Sequence, residues 1–358
     1  MQIAPFSATG IGSLPYPDPA PATDLIFAAF PSLPHWPQLP RRGAREGMVH
    51  QFFNPLVTTG LLTVKENRTF FATSGPDWPQ RLTEFYGLAL AAEDGDAGAL
   101  EHFAMPPSAA LGFYAFLSEV DRRGTAGIAA VKGQIAGPLS AAFFIKDEQG
   151  KAAYYDDQLR DLVVRTLALS ARWQARALSR FGLPVMIFID DPGIDVYGSS
   201  NYITVTREMV REDLQSLAEG ITAGGGLPGL HSCDAIDWSI PLTLPLAVVS
   251  VDTYNFFGSL LPFARELKTF LERGGTIAWG IVPTSGPDVG IASPRELVHR
   301  LTDQWEALNA RDIPRATLAE RSLITPACGT GLLSAAQAEE IYRSTAAVAR
   351  MLGEARPC

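Results

Sequence analysis

From about residue 125 onward, short continuous apolar segments alternate with long amphipathic ones, and this limits the fold more than any other feature. Runs such as PVMIFIDDP and TIAWGIVPTS are rich in β-branched and aromatic residues and lack the in-and-out alternation of a half-exposed strand. Strands of that kind are covered on both faces. Between them lie segments of helical period: KAAYYDDQLRDLVVRTLALSARWQARALSRFG ending at Gly182, TREMVREDLQSLAEGI with Thr206 as N-cap, LLPFARELKTFLERGG, SPRELVHRLTDQWEALNARD and SAAQAEEIYRSTAAVARML. Strand–helix repeats build parallel sheets. With ATGIGSLP as an early strand there are seven strand candidates, which predicts a (β/α)8 TIM barrel rather than a doubly wound sheet.

The first 120 residues follow the repeat less cleanly. AFPSLPHWPQLPRR and TSGPDWPQRL carry too many prolines for regular elements and are expected as long N-terminal loops covering the C-terminal face of the strands. A hairpin is expected near GLLTVKENRTFFAT. No linker separates two units, so residues 1–358 are expected to form one barrel domain.

Composition removes several function classes. The 38 acidic residues outnumber the 29 basic ones, for a net charge of −9, which excludes the basic footprint of a nucleic-acid binder. The longest apolar runs, such as LTLPLAVVSV, are of strand length and fall short of the roughly 20 residues a membrane span needs. Three cysteines in 358 residues make no disulfide scaffold and fit a reducing compartment. The start, MQIAPFSATG, lacks a basic region followed by an apolar one, so no secretory leader is expected and the location is read as cytoplasmic.

In a parallel barrel the C-terminal strand ends converge on the active site. Those ends carry Ser13, Lys132 and Gly133, Asp190 and Asp191, His231 and Cys233, Asp252, Thr284 and Cys328. His231 and Cys233 stand at i and i+2, which places both side chains on one side of an extended segment. With Cys328 and Asp252 they make a ligand set suited to tetrahedral zinc. Asp190 and Asp191 precede Pro192 and read either as a carboxylate for a substrate ammonium or as a strand-to-helix turn. HWPQLPRR, with Trp36, Arg41 and Arg42, reads as a lid or as a packed loop.

Taken in order, TGIGSLP, REGMVHQF, KGQIAGP, FIDDPGI, HSC, SVDTY and PACG span nearly the whole chain. In this series the chain resembles the C-terminal catalytic barrel of cobalamin-independent methionine synthase, in the group that also holds uroporphyrinogen decarboxylase and corrinoid-linked methyltransferases. The resemblance implies a (β/α)8 barrel and a catalytic zinc held by His231, Cys233, Asp252 and Cys328, with Asp252 standing where the family has Glu. It implies a homocysteine pocket built from Ile11, Gly12, Ser13 and Asp190, with Glu46 beside the place of a further acidic contact. On the folate side the family's Trp, Glu and His match Phe144, Val196 and Thr284. The implied activity is methyl transfer to the thiol of homocysteine, giving methionine; the donor is methyl-folate or a methylated corrinoid protein, and the replaced folate-side residues favour the corrinoid. The alternatives are a corrinoid-linked methyltransferase acting on another thiol, a non-catalytic zinc- or corrinoid-binding accessory protein, and a uroporphyrinogen decarboxylase-like enzyme.

Overall fold

Six of the seven apolar runs form strands of one parallel sheet. The computed structural model describes residues 3–65 and 68–355. In chain order the strands are β1 (Leu62–Lys65), β2 (Arg68–Phe71), β3 (Val131–Ala136), β4 (Lys146–Asp147), β5 (Val185–Asp190), β6 (Leu227–Ser232), β7 (Val248–Val251), β8 (Thr276–Val282) and β9 (Ser322–Pro326). The main sheet runs β3-β5-β6-β7-β8-β9. The expected hairpin is β1–β2, antiparallel from Leu62↔Phe71 to Lys65↔Arg68. It pairs through β2 with the short β4, in a sheet separate from the main one.

The eight-stranded barrel needs correction. ATGIGSLP is not a strand, and six regular strands stand where eight were expected. Each sheet edge is instead met by a single bridge: Ala8 on Ile324 of β9, and His35 on Lys132 of β3. A third bridge, Ser13↔Gln38, joins the two N-terminal segments to each other. Their backbone bonds are few but well formed, including Thr9 N–H to Ile324 O at 3.1 Å, Lys132 N–H to Pro34 O at 2.9 Å and Leu14 N–H to Gln38 O at 2.9 Å. At the β3 edge the reason the ladder stops is chemical. Pro31, Pro34, Pro37 and Pro40 recur at every third position, and proline has no N–H to donate.

Nor is TSGPDWPQRL all loop. The helix Trp78–Glu93 begins within it, with Pro79 in the first turn, where a missing N–H costs nothing. The expected helices appear at Asp157–Ser179, Arg207–Ala223, Ala264–Glu272, Pro294–Asn309 and Ala335–Glu354. Thr206 caps its helix through Met209 N–H, and Ser293 and Ser334 each head a capping box. Among the described residues, no helix is long and apolar enough to cross a membrane.

The inward face of the sheet has an apolar floor of Leu33, Ala130, Met186, Phe188, Val248, Ala278 and Leu323. Beyond it, toward the C-terminal strand ends, the inward positions turn polar: Gln134, Asp190, His231, Ser250 and Thr325. That step from floor to mouth positions the site.

Candidate metal centre

His231 lies near the end of β6, Cys233 just after it, and Cys328 just after β9. Strands β6 and β9 are three places apart in the sheet, which in a flat sheet would separate them by about 14 Å. Yet the donor atoms of His231, Cys233 and Cys328 all lie within 4.8 Å of one another. The sheet therefore curls far enough to bring its C-terminal ends together across the mouth.

The three side chains could hold one ion between them. His231 is 3% exposed. Its Nδ1 lies 3.0 Å from Ser250 Oγ on the neighbouring strand, while its Nε2 is sealed from solvent and has no protein partner. Both cysteines are free and half-buried. A hydrogen bond between the two thiols raises Cys233 well above the usual thiol range, and the same bond lowers Cys328 against the effect of burial. An imidazole with an orphaned nitrogen facing two thiols is a donor set that fits zinc.

Asp252, the expected fourth ligand, stands outside this group. It is the N-cap of the helix Thr253–Leu260. Its Oδ1 accepts from Asn255 N–H at 2.9 Å and its Oδ2 from Asn255 Nδ2 at 2.8 Å. Burial raises its pKa, and the Asn255 bonds oppose that.

The two adjacent aspartates separate completely. Asp191 is fully buried and accepts from Leu139 N–H, Ser140 N–H and Ser140 Oγ, which ties β5 to the helix Pro138–Phe144. It is the turn residue. Asp190 pairs in register with His231, and its Oδ1 is sealed without a partner, although the residue as a whole keeps some exposure. Burial raises its pKa, while Lys132 and His231 pull it down. Lys132 is wholly buried, with Nζ 2.5 Å from Ile11 O and 4.4 Å from the Phe188 ring centroid. Burial lowers its pKa, and Asp190 opposes this.

The turn of Ile11, Gly12 and Ser13 is fastened to the Cys328 loop. Thr330 donates to Ser13 O through both its N–H and its hydroxyl, each at 3.0 Å, and Gly331 N–H donates to Ser13 Oγ at 3.2 Å. A Cβ on Gly329 would lie 2.2 Å from Ser13 Oγ, so a larger residue there would turn this hydroxyl away.

Glu46 is buried elsewhere in the covering segment, where Arg42 Nε meets its Oε1 at 2.5 Å. Burial raises its pKa, opposed first by Arg42. No contact links it to the three-donor group. Trp36 is core, packed edge-on to Phe113, and Arg41 donates to Leu332 O at 3.0 Å, so HWPQLPRR is a packed segment rather than a lid. Phe144 is 54% exposed, edge-on to His50, and Thr284 is buried.

Two residues of the site escaped sequence reasoning: Ser250, against His231, and Gln134, whose carboxamide lies against Gly12. The available signal was strand alternation, since Gln134 and Ser250 share faces with Lys132 and Asp252.

No family model and no curated protein matches the chain. Among solved structures, a B12-independent methionine synthase from Shewanella sp. W3-18-1, in complex with selenomethionine, aligns with a TM-score of 0.47 at 15% identity. The alignment covers 66% of this chain and 64% of that one, so it spans less than two thirds of that protein.

Proposed function

We propose that this chain is a zinc-dependent methyltransferase that moves a methyl group onto the thiol of homocysteine, giving methionine. The observation that carries the reading is the meeting of His231, Cys233 and Cys328 donors within 4.8 Å, with His231 Nε2 sealed and unpartnered. These three residues would hold the ion, while Asp252 stays the helix cap. A bound zinc ion would offset the negative charge of a thiolate and so let an incoming thiol lose its proton near neutral pH.

The remaining residues bind and orient. Asp190 presents a buried carboxylate oxygen beside the metal ligands and accepts from the substrate ammonium. Ile11, Gly12 and Ser13 line the amino-acid end, held in place by Lys132 from one side and by the Cys328 loop from the other. Glu46, engaged by Arg42, joins this set only through the sequence resemblance. The donor is read as a methylated corrinoid on a partner protein rather than methyl-folate, since Thr284 offers no imidazole to protonate a folate leaving group. We read residues 1–358 as one domain of (β/α)8 type, with segments 7–14 and 34–38 as reduced first two staves.

Metal analysis tests the centre: about one zinc per chain is expected. Cys233→Ser and Cys328→Ser should each lose most of it, and full zinc in both variants would refute the site. Parallel assays with homocysteine should show faster methionine formation from methylcobalamin than from methyl-folate. The reverse order would reassign the donor and leave the centre standing.

A further inference from the structure

We propose that Gln134 is a specificity-determining residue of this site: its carboxamide oxygen, together with the Asp190 carboxylate, accepts hydrogen bonds from the ammonium group of an amino-acid thiol. The proposal rests on the thiol reading above and adds a reason why the substrate must carry a protonated amine.

Gln134 is an inward residue of β3 and is 2% exposed. Its Nε2 donates to Trp36 O at 3.2 Å. A carbonyl oxygen only accepts, so the amide nitrogen must face Trp36 and the amide oxygen must point the other way. That oxygen, Oε1, is sealed from solvent and has no protein donor. The residue is held from its backbone as well. Gln134 O accepts from Gln174 Nε2 at 2.9 Å, and Gln174 Oε1 accepts from Trp36 Nε1 at 2.9 Å.

Where the oxygen points is set by Gly12. A Cβ on Gly12 would lie 2.7 Å from Gln134 Cδ and 2.9 Å from Oε1, so the carboxamide rests directly on the turn assigned to the substrate. Gln134 pairs in register with Phe188 on β5, and Asp190 follows two residues later on the same face. The two side chains are thus diagonal neighbours on adjoining strands. Asp190 Oδ1 is likewise sealed without a donor. Lys132, the cation on the same face, directs its Nζ to Ile11 O and the Phe188 ring.

Two buried acceptors without donors, one of them anionic, call for a compact cation rich in N–H groups. A primary ammonium has three such donors. A thiol without an amine leaves Gln134 Oε1 and Asp190 both unpaired, and a site built to hydrogen-bond a group rejects the analogue that lacks it.

The test uses the full chain supplied with zinc and titrated calorimetrically with L-homocysteine and with 4-mercaptobutyrate, the same thiol acid without the amine. The wild-type chain should prefer homocysteine. Gln134→Met should reduce that preference by roughly tenfold to a hundredfold. The loss should appear in homocysteine binding, with 4-mercaptobutyrate little changed. Gln134→Asn, which keeps an amide but withdraws the oxygen, should move the preference the same way. Zinc content and unfolding midpoint confirm that each variant is folded. An unchanged preference in a folded variant makes Gln134 a packing residue and overturns the proposal. So does a wild-type chain that binds both thiols equally, and there the thiol reading survives. A zinc-loaded wild-type chain that binds neither thiol overturns the thiol reading itself.

Discussion

Along β5, β7 and β9 the inward residues change character over two positions: Phe188 gives way to Asp190, Val248 to Ser250 and Leu323 to Thr325. The lower member of each pair belongs to the apolar floor, fully or almost fully buried against its neighbours. The upper members belong to a mouth where Gln134 Oε1, Asp190 Oδ1, His231 Nε2 and Thr325 Oγ1 are all sealed without protein partners. An unsatisfied buried polar group costs about 1–3 kcal/mol. Four in one place is a local deficit that the floor offsets through burial. The same strands therefore carry a packed apolar floor below and a cluster of unpartnered polar atoms above.

Substitutions at Leu323 and Thr325, two residues apart on β9, should break the molecule in opposite directions. Leu323→Ala opens a cavity in the floor and should cost about 2–5 kcal/mol in urea denaturation, with zinc stoichiometry unchanged. Thr325→Val removes an unpaired hydroxyl at nearly constant shape and should hold or raise stability, by about 1 kcal/mol. A Thr325→Val variant as destabilised as Leu323→Ala would mean that the upper positions are as well satisfied as the floor.

Ser250→Ala gives a smaller effect, confined to the mouth. When Nε2 of His231 serves as a ligand, Nδ1 carries the proton and donates it to Ser250 Oγ. Without that acceptor the ring loses its orientation, and zinc affinity should fall about 10–100-fold in a chelator competition. Global stability should change little. Unaltered affinity would make Ser250 a bystander and leave the imidazole oriented by packing alone.

How much of this was legible in the sequence follows from the same division. A strand buried on both faces must be apolar throughout, so VMIFID and TIAWGIV stand out as strands without any structure. The segment 31–40 at the β3 edge does not, because a segment with proline at every third position carries no ladder pattern. What holds it is long-range: beyond the bridge to Lys132, His35 Nε2 meets Tyr342 OH at 2.9 Å, from a helix 307 positions away. In the site, the HSC and PACG segments were legible because cysteines are rare in this chain and both fall at strand ends. The separation of Asp190 from Asp191 was not, since it depends on the Ser140 side chain and on backbone donors of another element. Gln134 did leave a trace, as the one uncharged polar side chain within the buried run VKGQIA.

Asp252 is open to two readings, and it offers the finest test of the floor-and-mouth division. An acidic residue at a strand-to-helix junction has two ordinary uses, ligand and N-cap, and sequence position does not tell them apart. Here both carboxylate oxygens are taken by Asn255, which places Asp252 with the scaffold although it stands at the mouth. Asp252→Ala should therefore cost about 1 kcal/mol of stability and leave zinc content unchanged. Asp252→Asn discriminates further. Asparagine caps a helix about as well as aspartate, so stability should be held, and only a lost ligand charge would register. If zinc falls in Asp252→Asn while the unfolding midpoint stays fixed, the carboxylate leaves Asn255 for the metal, and this strand end belongs to the site rather than to the scaffold.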